Sequence, residues 1–254
     1  MAAPPKIEIL SQPGDIVRRA ASEFVRAARD AVSKRAVFRV ALSGGSTPKG
    51  LFSLLATDSD LREQTPWSAI HFFWGDERNV PPDHPDSNFR MASETMLSRV
   101  AISPSQVHRI RGEADAAEAA REYENVLRAE FGAAGTELPR FDLVLLGMGP
   151  DGHTASLFPG TKALHERTRL VTSNWVGKFY TQRVTLTAPV LNNAASVMFL
   201  VTGEDKAAPL KAVLEGPVEP EQLPAQLIQP VSGDLLWLVD AAAGRMLERA
   251  AAQP

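Results

Sequence analysis

Not one cysteine occurs in the 254 residues. Disulfides, thiolate metal centres and a cysteine nucleophile are excluded together. An excess of either charge is also missing, since 27 basic residues face 30 acidic ones and leave a formal net charge of −3. Such a balance recruits neither nucleic acid nor an anionic membrane. An anionic ligand must therefore be held by a local cluster of donors. No apolar run approaches the roughly 18 residues of a membrane span. Met1 to Leu10 has neither a basic leader nor an apolar segment of signal-peptide length. No internal repeat, low-complexity tract or long linker divides the chain. These absences lead to the expectation of a cytoplasmic globular protein with one domain over residues 1–254.

At 44% apolar residues, the chain can bury a sizeable core. Short apolar or β-branched runs alternate with longer amphipathic stretches, the pattern of an α/β fold with a largely parallel sheet flanked by helices. Strands are expected at Ile7–Leu10, Val37–Leu42, Ile70–Trp74, Phe141–Leu146, Val184–Leu186, Ser196–Thr202 and Leu235–Val239. Helices are expected at Asp15–Lys34, from about Thr47, at Ser87–Arg99, at Ala114–Phe131 and at Ala241–Ala251. Pro217–Pro230, with four prolines, reads as a surface excursion.

In open α/β sheets, ligands sit outside the carboxyl ends of the strands. The chemically dense segments fall at those ends. Ser43-Gly44-Gly45-Ser46-Thr47-Pro48 follows a strand and opens a helix. Its glycines permit close backbone approach, its hydroxyls add donors, and the helix start favours an anion such as phosphate. Trp74-Gly75-Asp76-Glu77-Arg78 places two acids and a guanidinium at another strand end, suited to gripping hydroxyls. Asp86 or Ser87 reads as the cap of the helix that follows. Gly147-Met148-Gly149-Pro150-Asp151-Gly152-His153 contains G-x-G-x-x-G. Pro150 and the lack of an acid after the next strand argue against a dinucleotide site. The turn offers instead Asp151 and His153, a candidate general base with a carboxylate two residues before it. One Asp and one His fall short of a catalytic zinc set, so neither metal nor cofactor is expected. Arg183 and Lys206, each close to a strand, could add cationic donors for phosphate.

These segments, with Ala155-Ser156-Leu157-Phe158-Pro159, Arg183-Val184-Thr185-Leu186-Thr187 and Thr202-Gly203 through Lys206, resemble the 6-phosphogluconolactonase family from about residue 7 to residue 245. The resemblance implies a modified Rossmann-like fold shared with glucosamine-6-phosphate deaminases and ribose-5-phosphate isomerases. It implies hydrolysis of 6-phosphoglucono-δ-lactone, with a small-molecule sugar phosphate as the partner. Carried over by position, Ser43, Gly44, Gly45, Arg183 and Lys206 would hold phosphate, with Ser46 and Thr47 beside them. Asp76 and Arg78 would contact the sugar or order the loop, and His153 would be the base, oriented by Asp151. Charge on the carbonyl oxygen would be offset by N–H groups near Gly149–Gly152 or by Arg78.

Two other readings stand beside this one. The related deaminases carry a glutamate five residues after the histidine and Asp-Glu-Tyr at the second loop; here those places hold Phe158 and Asp76-Glu77-Arg78. A silent sugar-phosphate-binding regulator would not need His153.

Overall fold

The computed structural model describes residues 4–248. In chain order the elements are β1 (Lys6–Leu10), α1 (Pro13–Arg35), β2 (Phe38–Leu42), α2 (Ser46–Thr57), α3 (Ser59–Gln64), β3 (Ile70–Trp74), β4 (Asp76–Arg78), α4 (Asn88–Thr95) and α5 (Ala116–Phe131). They continue as β5 (Leu143–Leu146), β6 (Val171–Val176), β7 (Thr181–Leu186), α6 (Ala188–Asn192), β8 (Ser196–Val201), α7 (Ala207–Glu215), β9 (Asp234–Asp240) and α8 (Ala241–Gly244).

Six strands make one parallel sheet in the order β1-β9-β8-β5-β2-β3. β5 lies inside it with all four residues buried. Both of its faces are covered, so Leu-Val-Leu-Leu carries no alternation. α1 shows why its segment is helical. Ile16, Ala20, Phe24, Ala28 and Ala31 recur at three or four residues and are buried. Pro13 stands at its start, and Asp15 and Lys34–Arg35 match the helix dipole at the two ends. Phe24 meets Phe38 edge-on, ring centroids 5.4 Å apart. Burying one such ring is worth roughly 1.5–3 kcal/mol.

The chain also makes a second, antiparallel sheet in the order β4-β7-β6. Val184–Leu186, expected as a strand, is the second half of β7, the centre of this smaller sheet. Thr172, Asn174 and Thr185 are polar yet buried in it. Such side chains need partners. Asn174 Nδ2 donates to the Ser156 carbonyl and to Thr161 Oγ1, both at 2.9 Å. Thr185 Oγ1 accepts from the Ser156 N–H at 3.3 Å. The small sheet is thereby a platform for the segment after His153.

Three expectations require correction. The helix expected over Ser87–Arg99 stops at Thr95. The Thr95 hydroxyl donates to the Met91 carbonyl at 2.6 Å, and the break at Met96 turns Met96 and Leu97 inward. The closing helix is α8, ending at Gly244; 245–248 are not helical, and 249–251 lie outside the described residues. Pro217–Pro230 is not merely a surface excursion. It contains a 3-10 turn at Pro224–Leu227, and Pro224, Ala225, Gln226 and Ile228 are buried.

Candidate active site

Loops leaving β2, β3, β5 and β8 converge on a cavity of about 280 Å³. Ser43, Gly44, Gly45, Ser46 and Thr47 line one wall. Gly45 has φ 110°, a conformation that disfavours any side chain, and α2 begins at the next residue. A Cβ on Gly44 would lie 2.0 Å from Asn88 Oδ1, so only glycine lets Asn88 approach here. Ser43 Oγ is buried without a hydrogen-bond partner. An unpaired hydroxyl facing a cavity is costly unless a ligand takes it up.

The opposite side of this wall comes from β8. Thr202 Oγ1 pairs with Thr47 Oγ1 at 2.8 Å and lines the same cavity. Gly203 turns the chain at φ 101°, and its N–H donates to both Asp240 carboxylate oxygens at 3.2 and 3.1 Å. The buried Asp240 also accepts the Ala243 N–H at 2.8 Å. Lys206 follows this turn, lines the cavity and is ion-paired with Asp205.

The turn after β5 holds His153, also on the cavity wall. Its Nδ1 lies 2.5 Å from Asp151 Oδ1. Lys178, at the tip of the β6–β7 hairpin, donates to Asp151 Oδ2 at 3.0 Å. Burial pushes the Asp151 carboxyl up, but the hydrogen bond to His153 and the Lys178 ammonium win and hold it well below the usual carboxylate range. Phe158 stacks on the imidazole, ring centroids 4.0 Å apart. A Cβ on Gly149 would lie 2.0 Å from His153 Nδ1, and Gly152 has φ 72°. Both glycines are therefore demanded by the turn. Leu223 covers Gly152, and the Ala225 N–H donates to its carbonyl at 2.8 Å. The proline-rich excursion thus braces the turn.

Two of the N–H groups in this turn are taken up within it. The Gly149 N–H is engaged with the His153 carbonyl at 2.9 Å, and the Gly152 N–H with the Gly149 carbonyl at 3.0 Å. Both close the turn, so neither is free to offset charge on a substrate.

Asp76 and Arg78 line the cavity. Asp76 Oδ2 accepts from Ser156 Oγ at 2.6 Å, and Asn88 Nδ2 donates to the Asp76 carbonyl at 3.0 Å. Asp76 therefore ties the segment after His153 to the residue beneath Gly44. Glu77 is buried and accepts the backbone N–H groups of Arg78, Asn88 and Phe89, each at 2.8 Å, and the Ser87 hydroxyl at 3.1 Å. Desolvation pushes its pKa up in spite of those donors. It seats the start of α4, which Ser87 caps through the Arg90 N–H. Arg78 Nη1 donates to the Asp86 carbonyl at 2.8 Å. Arg183 is paired with Arg78 in register across β4 and β7. It does not line the cavity. Its Nε and Nη1 are buried without partners, and burial, then the Arg78 charge, pushes its pKa down. Arg183 therefore lies beside Arg78 on the neighbouring strand, off the cavity wall.

Asn88, Thr202 and Lys178 were not among the residues expected at the site, although Ser87-Asn88 belongs to one of the motifs. Lys178 carries no local signal, since 27 residues and a whole strand separate it from Asp151. Asp240 supports the Lys206 turn from 37 residues away.

Residues 11–237 match the model of the family described as glucosamine-6-phosphate isomerases/6-phosphogluconolactonase. The chain is 42% identical over 244 residues to a 6-phosphogluconolactonase of a Synechocystis strain, covering 96% of this chain and 98% of that one. It also resembles the solved structure of 6-phosphogluconolactonase from Trypanosoma cruzi, with TM-score 0.85, 30% identity and 98% of each chain covered. A monomeric glucosamine-6-phosphate deaminase shares the fold, with TM-score 0.78 at 21% identity over 95% of this chain and 99% of that one. The chain belongs to the glucosamine-6-phosphate isomerase/6-phosphogluconolactonase family.

Proposed function

We propose that, as a member of this family, the chain hydrolyses 6-phosphoglucono-δ-lactone to 6-phosphogluconate, a step of the oxidative pentose phosphate pathway. The observation that carries the reading is the Lys178–Asp151–His153 chain facing a donor-lined pocket. Ser43, Gly44, Gly45, Ser46, Thr47 and Lys206 hold the phosphate at one end. Arg78, backed by Arg183, supplies positive charge near the sugar. Anchoring through a non-reacting group orients the ester carbonyl against a fixed base.

The ionised Asp151 accepts a proton-bearing Nδ1, which leaves the Nε2 lone pair of His153 as the base. Nε2 takes a proton from water as its oxygen bonds to C1. The bond from C1 to the ring oxygen then breaks, and the imidazolium returns the proton to that oxygen. Arg78 offsets charge on the carbonyl oxygen in the transition state. Phe158 favours this chemistry over deamination. It stacks on His153 where the deaminases carry a glutamate, and a phenyl ring cannot transfer protons. No helix among the described residues is long and apolar enough to cross a membrane. A charged sugar phosphate does not cross a bilayer unaided, which supports the cytoplasm as the place of action.

The test is acid release from freshly generated 6-phosphoglucono-δ-lactone with EDTA present and spontaneous hydrolysis subtracted. Glucosamine 6-phosphate runs in parallel, monitored for ammonia. EDTA-resistant lactone hydrolysis without ammonia is the expected result; ammonia release without lactone hydrolysis overturns the reading.

A further inference from the structure

Outside the catalytic pocket, three potential metal ligands from distant parts of the chain meet. His71 lies on β3, the edge strand of the main sheet, His108 in the segment laid beside it, and Glu130 near the end of α5. His71 Nδ1 is 3.0 Å from His108 Nε2. Glu130 Oε2 is 3.5 Å from the first nitrogen and 3.7 Å from the second. None of the three lines the catalytic cavity. From these atoms and distances we infer that His71, His108 and Glu130 form a binding site for a divalent transition metal of the zinc class.

The size of the triangle favours this. A circle through three atoms with those separations has a radius of about 2.0 Å. Zinc bonds to imidazole nitrogen and carboxylate oxygen run about 2.0 to 2.2 Å. A metal just above the plane would reach all three after a small adjustment of the two imidazoles. Two nitrogens and one carboxylate oxygen suit zinc, and three protein ligands leave the fourth tetrahedral position for water. The side chains are 29%, 10% and 33% exposed, so the ion has a way in and the fourth position reaches solvent.

The surroundings fit the same occupant. His108 is the most enclosed of the three ligands, its side chain 10% exposed. Its ring stacks on Phe73 with centroids 4.5 Å apart, and the His108 backbone N–H donates to the Phe72 carbonyl at 2.9 Å. Both contacts fix the ligand against β3. Arg39, paired in register with His71, is the neighbouring cation. Its guanidinium is turned to the Glu130 carbonyl at 3.0 Å and to the Phe131 ring, leaving the carboxylate to the metal. The local spacing that argued against metal at Asp151 and His153 says nothing of this site, whose ligands are 37 and 22 residues apart along the chain. A bound ion would staple the edge strand to α5.

The test uses the full chain stripped of metal and titrated with Zn²⁺ alone by calorimetry and thermal unfolding. Co²⁺ replaces Zn²⁺ to read a tetrahedral visible band. The wild type and His153→Gln are expected to take up one equivalent, with Tm rising by about 5–10 °C at a hundredfold excess over Kd. His71→Gln and His108→Gln should weaken uptake beyond the roughly 10- to 100-fold that loss of an outer-shell partner costs. Glu130→Gln, partly exposed at a helix end, serves as the folded variant if an imidazole replacement fails to fold. No uptake by the wild type, unchanged uptake in these three variants, or uptake lost only in His153→Gln overturns the proposal.

Discussion

Asp151 Oδ1 lies 2.5 Å from His153 Nδ1, two residues along the same turn, while Lys178 holds the other carboxylate oxygen at 3.0 Å from the tip of a different sheet. Proximity in sequence does not ensure this, because neighbours in a loop can point apart. Gly149 leaves room for the ring, and Gly152 supplies the positive φ that reverses the chain.

Asp151→Asn should lower kcat by about 10²–10⁴-fold with little change in KM. An amide can donate to Nδ1 and so place the imidazole proton on Nε2, the wrong nitrogen for a base. The folded state holds the Asp151 pKa below its unfolded value. Its contribution to stability is therefore present above the unfolded pKa and lost as pH falls through the folded one. Denaturation midpoints should show the variant less stable than wild type near pH 7, with the gap narrowing toward about pH 3. A constant gap would separate Asp151 from this ion-pair role.

Lys178→Met should shift the acidic limb of the kcat/KM profile to higher pH. Without the ammonium, the Asp151 carboxyl is held down less, so it takes up a proton and ceases to accept from His153 Nδ1 at a higher pH. Lys178→Arg, which keeps the charge, should restore most of the wild-type profile. Superimposable profiles for wild type and Lys178→Met would remove Lys178 from the mechanism.

Ser43→Ala should raise KM for the phosphorylated lactone by roughly 10- to 100-fold, the worth of one hydrogen bond to a charged group. Its Tm should not fall, because the buried hydroxyl has no partner within the protein to lose. An unphosphorylated lactone should be hydrolysed equally by both proteins. A matching loss on that substrate would place Ser43 elsewhere than at the phosphate.

Leu223→Ala should reduce kcat more than KM, although residue 223 lies far along the chain from the turn it covers. Leu223 packs on Gly152, and the next turn supplies the Ala225 N–H to the Gly152 carbonyl. Loosening that cover displaces the base, and a misplacement of about 1 Å costs on the order of 10²-fold. Unchanged turnover at steady state would make the brace irrelevant to catalysis.

Much of the framework was legible in the sequence because its causes are local. The three- and four-residue recurrence of Ile16, Ala20, Phe24, Ala27 and Ala31 announces α1, and unbroken Leu143–Leu146 announces a strand covered on both faces. The glycine-rich ends of those strands were readable for the same reason, since a tight turn writes its residue type into the chain. The antiparallel sheet was not readable. Its buried Thr172, Asn174 and Thr185 look like surface residues until Ser156 and Thr161 are placed against them.

Residue chemistry and spacing by themselves determined which strand ends would carry hydroxyls, glycines, acids and a histidine, because short-range sterics and strand–turn–helix order act within a few residues. Only the tertiary structure decided which of those groups share a cavity and which stand behind it. Arg183 lies beside Arg78 but off the cavity wall, Lys178 reaches Asp151, and Asn88 slips beneath Gly44. Such pairings arise from the packing of whole sheets, whose partners are distant in the chain, and no local pattern encodes them.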